Sequence, residues 1–299
     1  MPTQEQIYTV DERERLVIQN RLLAEFEIPA LKSICGDRHG LSVLDIGCND
    51  GTKTVGRFAS PAFQRVICLE YGSALAELAR NTYANEKFSF FALDAECEDF
   101  SERLTDIIAD CQLDGFDVIC LSFVLMHLRN PERLLRRLCR FLRPNGCLFI
   151  VEANDRNSRL SGDTENRLSS FFDILEKDPC AGNRNVGPQL ENLLSRSGYG
   201  QIISYCEQLG AVGEQPQRRC DIYETFFSYL PSDIRLLINE EPNNRRYREW
   251  EAWVRTEYPY LRSLIVDSDE EIYMGVRILS CKPNDDCGLT EQNNLKEMS

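Results

Sequence analysis

Between residues 41 and 152, short apolar runs alternate with segments of helical spacing. The pattern predicts strands at 42–46, 65–70, 88–93, 116–121 and 147–152, and helices at 52–59, 73–84, 101–109 and 131–142. Strands that alternate with helices form βαβ units, whose right-handed crossovers give a parallel sheet with helices on both faces. This part of the chain is therefore predicted to be a doubly wound α/β domain.

Helical spacing dominates on both sides of this region. The segment 11–31 is a predicted helix that Pro29 disturbs near its end. Further helices are predicted at 160–177 and 188–196, and further strands at 202–208 and 271–280. The stretch 218–264 is helical, rich in aromatic residues and too long for an ordinary connection, so it is predicted to be a helical insertion. Residues 284–299 are polar and predicted to form a mobile tail.

Composition narrows the class of partner. The chain has 299 residues and a formal net charge of -14. Such a field repels phosphate backbones and anionic lipids, which argues against nucleic acid and membrane partners and suits a neutral or cationic small molecule. The 13 cysteines contain no CxxC pair, so no metal centre is predicted and reduced thiols are expected. Without a signal peptide pattern or a membrane-spanning apolar run, the protein is expected to be cytoplasmic.

Three acidic residues stand at the carboxyl ends of the first three predicted strands. Asp45 precedes Gly47 and Gly51 in the sequence VLDIGCNDG, Glu70 closes VICLEYG, and Asp94 follows FFAL. Ligands of open α/β sheets bind beyond these ends, where glycines permit tight turns and a close approach to the backbone. Acids there can accept from ribose hydroxyls and from an adenine amino group, so together they predict an adenosine pocket. Taken singly, Glu70 or Asp94 is better explained as a solvated charge, and Asp45 can cap the turn as well as orient the loop, but the three acids together favour the pocket.

With these motifs the chain resembles the class I S-adenosylmethionine-dependent methyltransferases over residues 8–282, most closely over 41–152. The first motif of that family is an acid, one residue, and then Gly-x-Gly-x-Gly; here Asn49 replaces the middle glycine. Asn tolerates a positive φ better than most residues, so the turn is expected to survive.

The resemblance also implies an architecture. It implies a seven-stranded, mostly parallel Rossmann-like sheet whose last strand is antiparallel. Residues 41–217 and 265–283 would form this domain, 1–40 a helical segment covering the cofactor, and 218–264 a lid, before the tail at 284–299.

S-adenosylmethionine is the cofactor that the resemblance implies, and it assigns roles to individual residues. The backbone of Gly47 would lie against the methionine part of the cofactor, Glu70 would hold the ribose, and Tyr71 would flank the adenine. Asp94 and the amide of Ala95 would read the adenine edge. Tyr8, Arg15 and Gln19 would close over the cofactor. The predicted cofactor-binding residues are Tyr8, Arg15, Asp45, Gly47, Asn49, Gly51, Glu70, Tyr71, Asp94, Ala95 and Ser122.

A nicotinamide dinucleotide site is the alternative interpretation of the first turn. Its pattern is Gly-x-Gly-x-x-Gly with an acid about 20 residues on, and Glu70 fits that distance. However, Asn49 replaces the middle glycine, and Gly51 stands one position too early for the third. Because pyrophosphate needs its closest backbone contact there, the sequence favours the methyltransferase.

Candidate catalytic residues follow the fourth and fifth strands. His127 either acts as a general base near the reactive methyl or only bonds to neighbouring backbone. Glu152 and Asp155 are the other candidate bases, although a solvated loop explains them equally well. The candidate acceptor-binding residues are Phe123, Arg184, Tyr223, Phe227 and Trp250. Arg184 could instead tie down a loop, and the aromatic rings could be core.

The predicted function is methyl transfer to a small-molecule acceptor by in-line displacement, with release of S-adenosylhomocysteine. A base is needed only if the acceptor must lose a proton, as an amine or a phenol would. Two alternatives stay open. One is a catalytically silent relative that binds the cofactor as a regulatory or partner-binding module, and the other is a protein methyltransferase.

Overall fold

Buried apolar runs form an eight-stranded sheet in the computed structural model, which describes residues 10–284. All six residues of the first strand are buried, as is usual for a parallel strand covered on both faces. The strands are β1 (Leu41–Ile46), β2 (Phe63–Glu70), β3 (Phe88–Ala92), β4 (Phe116–Ser122), β5 (Leu142–Ala153), β6 (Arg159–Leu160), β7 (Tyr199–Ala211) and β8 (Ile272–Pro283).

The strand order is β3-β2-β1-β4-β5-β8-β6, with β7 paired to β8. The four pairings among β1 to β5 are parallel, and β6 is antiparallel to β8. Chain order reverses between β1 and β4, which is the switch point where ligands of such sheets bind. The predicted doubly wound, Rossmann-like fold is confirmed; the strand missed by the prediction is β6, which has only two residues.

Helices occupy the predicted positions between the strands, with small shifts at their ends. They are α1 (Val10–Cys35), α2 (Thr52–Arg57), α3 (Ser73–Tyr83), α4 (Phe100–Asp110), α5 (Pro131–Leu138), α6 (Arg167–Leu175), α7 (Leu190–Arg196), α8 (Pro216–Phe226), α9 (Leu230–Glu240), α10 (Arg245–Thr256) and α11 (Tyr258–Val266). Four of them, α8 to α11, occupy the predicted helical insertion.

Two predicted helix ends were wrong. Pro29 does not end the first helix, which runs through it to Cys35. Gly36, whose φ is 54°, ends it by donating its amide to the Lys32 carbonyl. The helix predicted at 160–177 begins only at Arg167, because the Asp163 carboxylate accepts the amides of Arg167 and Leu168 and so sets the first turn.

The described chain divides into two compact units. The sheet unit comprises Phe26–Glu152, Gln189–Cys206 and the described residues from Arg277 on. The helical unit comprises the described residues up to Glu25, Ala153–Pro188 and Glu207–Val276. Helices α2 to α5 and α7 belong to the sheet unit, whereas α6 and α8 to α11 belong to the helical unit.

Aromatic rings on or directly after helices α6, α8 and α11 pack together in the core of the helical unit. The rings of Phe171 and Phe227 lie 4.6 Å apart, and Tyr223 lies 6.2 Å from Phe227 and 6.0 Å from Tyr258. The Tyr258 hydroxyl donates to the Phe227 carbonyl at 2.6 Å, which satisfies its only donor inside the core. Over residues 10–284, no helix combines the length and the apolar character needed to cross a membrane.

A close backbone approach in the helical unit gives a test of this packing. A Cβ added at Gly187 would lie 1.7 Å from the Ala153 carbonyl oxygen, whereas one added at Gly56, an exposed residue of α2, meets nothing within 4 Å. We expect Gly187→Ala to lower the free energy of unfolding by about 1–3 kcal/mol. Gly56→Ala should instead raise it by about 0.5–1 kcal/mol, because Ala is the better helix former. Urea denaturation followed by circular dichroism measures both, and equal effects would contradict the described contact.

Candidate functional site

The loop after β1 takes a backbone conformation that few residue types adopt. Gly47, Asn49 and Gly51 all have positive φ angles, of 75°, 53° and 83°. The expectation that Asn49 can hold the turn in place of glycine is confirmed at the level of the backbone. Its own side chain supports this conformation, because its Oδ1 accepts the Asp50 amide at 2.7 Å.

Both glycines of the loop are also required by space. A Cβ at Gly47 would lie 2.6 Å from Cγ2 of Val124, which follows β4. A Cβ at Gly51 would lie 2.9 Å from the Phe90 ring and 3.1 Å from the Tyr83 ring. The loop therefore lies directly on side chains of three neighbouring elements.

Glu70, the last residue of β2, joins the loop to the second strand. Its carboxylate is buried, accepting the Asn49 amide at 2.9 Å through one oxygen and the Gly72 amide at 3.0 Å through the other. The loops that follow β1 and β2 are thus both hydrogen-bonded to one buried carboxylate. Tyr71 follows with 67% of its surface exposed, which leaves a large ring open beside this carboxylate.

The turn after β3 carries the third predicted acid. The Asp94 carboxylate accepts the Glu96 amide at 2.8 Å, and both Asp94 and Ala95 are half-buried. The backbone carbonyl of Asp94 accepts a hydrogen bond from the Cys97 thiol at 2.9 Å. Asp94 therefore shapes its own turn, as the structural interpretation of the sequence expected, while its turn stands at the same sheet edge as Glu70.

A group that sequence analysis missed lies beneath the loop. The Arg57 guanidinium contacts the Glu27 carboxylate at 3.0 Å and Asp45 at 3.5 Å, with all three side chains buried. Lys53 adds a second contact to Glu27 at 3.0 Å, and the Thr54 hydroxyl donates to Asp45. Burial pushes the pKa of Glu27 upward, but the positive charges of Arg57 and Lys53 outweigh it, so the pKa is lowered.

Within the described structure, this buried charge cluster explains why an acid, Asp45, lies inside a buried strand. Asp45 anchors α2 through Thr54 and Arg57, so it fixes the helix that follows the glycine loop. The four charged residues come from α1, β1 and α2, which are far apart in the sequence. An apolar pattern gives no sign of such a cluster; the one sequence clue was an acid inside a buried strand.

Lys53 also reaches the end of β4. Its Nζ donates to the Ser122 hydroxyl at 2.9 Å and lies 5.6 Å from the centre of the Phe123 ring. Phe123 has a φ of 54°, and its amide donates to the Val151 carbonyl at 2.7 Å. Because a bulky residue at positive φ is uncommon, the packing around β4 and β5 must hold it there.

Glu152 organises the turn that carries His127. It is 1% exposed near the end of β5, and its Oε1 accepts the amide of Leu125 at 2.8 Å. Leu125 begins the 3₁₀ turn Leu125–His127, in which the His127 amide donates to the Val124 carbonyl at 3.0 Å. The His127 side chain is exposed at this edge of the sheet unit. Glu152 therefore positions the histidine turn rather than standing open to solvent.

The predicted site residues of the helical unit are held by contacts of their own. Arg15 pairs with Glu12 at 2.6 Å, donates to the Thr225 carbonyl at 2.8 Å and lies 5.3 Å from the centre of the Tyr229 ring. Asp155 accepts both forks of Arg184, at 2.6 and 2.7 Å. Tyr8 lies outside the described residues.

The aromatic candidates of this unit are packing residues in the described structure. Phe227 is fully buried in the aromatic core, where Tyr223 packs against it. Trp250 is buried against Tyr247, with ring centres 5.5 Å apart. The observed contacts of these rings are core packing contacts. Their role in acceptor binding stays a prediction.

Residues 44–148 match the sequence model of the family described as "Methyltransferase domain". The human thiol S-methyltransferase TMT1A is 26% identical over 146 residues, which cover 48% of this chain and 54% of that protein. The ubiquinone/menaquinone biosynthesis C-methyltransferase UbiE of Hahella chejuensis is 28% identical over 123 residues, 39% of this chain and 45% of UbiE. The chain thus spans about half the length of these curated relatives.

Among solved structures, the YcgJ protein from Bacillus subtilis is similar with a TM-score of 0.50 and 15% sequence identity, over 87% of this chain and 98% of that chain. At this identity the likeness concerns the fold alone.

The buried charge cluster gives a stability prediction. Arg57→Met leaves the Glu27 and Asp45 carboxylates buried without their main cation, so we expect the free energy of unfolding to fall by about 3–5 kcal/mol. The double variant Glu27→Gln with Arg57→Met should lose less, because it removes one of those charges. Chemical denaturation measures both variants.

A matched control is the exposed pair of Arg245 with Glu249, 2.8 Å apart. Arg245→Met should change stability by about 0.5 kcal/mol or less. A similar small loss for Arg57→Met would show that the cluster does not hold α2 in place.

Proposed function

We propose that this chain is a class I S-adenosylmethionine-dependent methyltransferase, which transfers a methyl group from S-adenosylmethionine to a small-molecule acceptor and releases S-adenosylhomocysteine. The match of residues 44–148 to the family described as "Methyltransferase domain" supports the proposal. S-adenosylmethionine is the cofactor of this class of domain. The activity of the whole protein and its acceptor are part of the proposal.

The observation that carries the proposal is the Glu70 carboxylate at the sheet edge. It is held in place by the amides of Asn49 and Gly72, so it cannot swing away when a ligand arrives. A carboxylate has about four lone-pair sites, so one side chain can accept from backbone amides and from the two hydroxyls of a ribose. The exposed Tyr71 ring follows it in the chain and is assigned to the purine.

The other residues of the sheet unit fit a nucleoside with an amino acid tail. We assign the adenine edge to Asp94 and the Ala95 amide, and the methionine part to the exposed backbone of Gly47. Lys53 already donates to the Ser122 oxygen, which leaves the hydroxyl hydrogen of Ser122 for another acceptor. Ser122 would thus act as a donor toward the cofactor.

Two predicted cofactor contacts come from the N-terminal segment. Arg15 is one of them, and its guanidinium already pairs with Glu12. A contact to the cofactor carboxylate would share the guanidinium or replace that pair. Tyr8 keeps its proposed role on the sequence resemblance alone.

The cofactor supplies a methyl group on a positively charged sulfur, which an in-line nucleophile displaces. The protein residues position the acceptor and exclude water. If the nucleophile must lose a proton, His127 is the favoured base, since its side chain is exposed and imidazoles as a class suit proton transfer near neutral pH. Glu152 fixes its turn, while Asp155 would first have to leave its ion pair with Arg184.

Two observations support a small-molecule acceptor over a protein or nucleic acid. TMT1A is named as a thiol S-methyltransferase and UbiE as a C-methyltransferase of ubiquinone/menaquinone biosynthesis, and neither name specifies a protein or a nucleic acid as acceptor. The net charge of -14 opposes binding to phosphate backbones. Phe123, held at the end of β4 beside Lys53, is the ring that we assign to the acceptor side.

Substitution of Glu70 tests the cofactor site. Glu70→Ala should weaken S-adenosylmethionine binding by about 1–3 kcal/mol, because it removes a buried charged hydrogen-bond acceptor. Calorimetric titration measures the affinity. Glu77→Ala, which changes an exposed acid on the nearby helix α3, should leave it within about 0.5 kcal/mol and serves as the matched control.

Titration with a nicotinamide dinucleotide completes this experiment. Tighter binding of the dinucleotide than of S-adenosylmethionine, or equal affinity of Glu70→Ala and wild type, would contradict the proposed cofactor site. Turnover on a panel of amines, phenols, thiols and carboxylates then tests catalysis, and binding without any turnover would favour the silent cofactor-binding module.

A further inference from the structure

The ammonium of Lys53 lies at the edge of the sheet to which the methionine part of the cofactor is assigned. Ile46 of β1 is paired in register with Leu121 of β4. Because the two strands are parallel, the residues that follow this pair, Gly47 and Ser122, come next to each other at the same edge. The Nζ of Lys53 donates to the Ser122 hydroxyl oxygen at 2.9 Å, so the ammonium belongs to this edge as well.

The segment after β4 is in contact with the glycine loop. A Cβ added at Gly47 would lie 2.6 Å from Cγ2 of Val124. The preceding residue, Phe123, has a φ of 54°, and its ring centre lies 5.6 Å from the Lys53 Nζ. Lys53 therefore contacts Ser122 and Phe123, the two residues that lead into the place where the loop packs.

The Lys53 ammonium is fixed in position but still has a donor to offer. An ammonium has three N–H donors. One approaches the Glu27 carboxylate at 3.0 Å, and another is directed to Ser122. Within residues 10–284, at least one N–H of Lys53 is left without an acceptor. Because the side chain is 18% exposed, a ligand can reach it from solvent.

The charges around Lys53 favour one more anion. Its carboxylate neighbour, Glu27, is shared with Arg57, which donates to both Glu27 oxygens at 3.0 and 3.1 Å. Burial lowers the pKa of Lys53; Glu27 opposes this effect, whereas the positive charge of Arg57 adds to it. A lowered lysine pKa means that the surroundings stabilise the positive charge less well than water does. A carboxylate bound beside the ammonium would correct this deficit.

Ser122 supplies a second donor at the same place. Its oxygen accepts from the Lys53 ammonium, so its hydroxyl hydrogen is directed away from that charge and remains for an acceptor. The two side chains together present an N–H and an O–H donor. A carboxylate has an oxygen for each of them, and its negative charge strengthens both hydrogen bonds.

We propose that Lys53 and Ser122 together bind the carboxylate in the methionine part of S-adenosylmethionine. The inference rests on the proposed methyltransferase function and adds Lys53 to its cofactor site. Both residues belong to the sheet unit, so the contact lies within one compact unit.

A matched pair of ligands tests this inference on the full chain. Decarboxylated S-adenosylmethionine keeps the nucleoside, the sulfonium and the amino group, and it lacks only the carboxylate. We expect the wild-type chain to bind S-adenosylmethionine at least about tenfold more tightly than the decarboxylated compound, because the latter cannot form the charged hydrogen bonds. Calorimetric titration measures both affinities.

Substitutions at the two residues should act on this preference. Lys53→Met should weaken binding of S-adenosylmethionine by about 10- to 100-fold and change that of the decarboxylated compound by less than about threefold, because only the former carries the carboxylate. Lys53→Arg keeps a charged donor and should restore most of the preference. Ser122→Ala leaves every charge in place, so it tests the site even if Lys53→Met does not fold, and it should reduce the preference by about three- to tenfold.

Lys87→Met is the matched control. This lysine precedes β3 at the opposite edge of the sheet, and its ammonium donates to the carbonyls of Ala59 and Ser60 at 3.2 and 2.8 Å. The variant removes one positive charge from the same unit, as Lys53→Met does. Because solvent and salt screen a distant charge, we expect both affinities to change by less than about twofold.

The outcomes separate this inference from the proposed function. Failure of the wild-type chain to bind either compound would contradict the cofactor site itself. Equal affinity of the wild-type chain for the two compounds would overturn the carboxylate contact alone. So would an equal loss of both affinities in Lys53→Met, which a disturbed glycine loop would cause, or a preference that survives both Lys53→Met and Ser122→Ala.

Discussion

The contact between the Glu70 carboxylate and the amides of Asn49 and Gly72 is the constraint on which the site depends. Parallel strands bring β1 and β2 side by side, but they do not decide how the loops beyond them fold. One buried charge accepting from both loops makes that decision. The loop after β1 then lies against Val124, Phe90 and Tyr83, where only glycines fit at its two ends. Sheet topology thus brings the loops after β1 and β2 close together, and their hydrogen bonds to the Glu70 carboxylate fix their conformation.

The buried charge cluster performs a related task one layer below. Removing Glu27, Arg57, Lys53 and Asp45 from water is costly, and their mutual contacts offset that cost. The contacts in the cluster are directional, because the planar guanidinium donates its N–H groups in fixed directions and carboxylates must lie along them. Through Lys53 it extends to the Ser122 hydroxyl at the end of β4. The first and fourth strands are therefore coupled by side chains as well as by the parallel pairing between them.

Most of the fold could be predicted from the sequence, because apolar periodicity reports burial directly. Strands β1 to β4 were predicted to within two residues at each end, whereas β5 begins five residues earlier than its apolar run. The two-residue β6 carries no period long enough to detect. The acids at the strand ends were visible because each follows an apolar run. Glu27 and Arg57 were not, because a charged residue in a helix usually indicates a solvated face and only the folded chain brings these two together.

Asn49 has a consequence for how the loop meets a ligand. A glycine at this position would sample both signs of φ in the unbound protein, and part of that freedom would be lost on binding. Asparagine samples fewer states, and its side chain bonds to the Asp50 amide in the left-handed conformation. The loop is therefore preorganised: it waits in a narrow range of shapes, so association should require little reordering of the backbone and should depend mainly on fit.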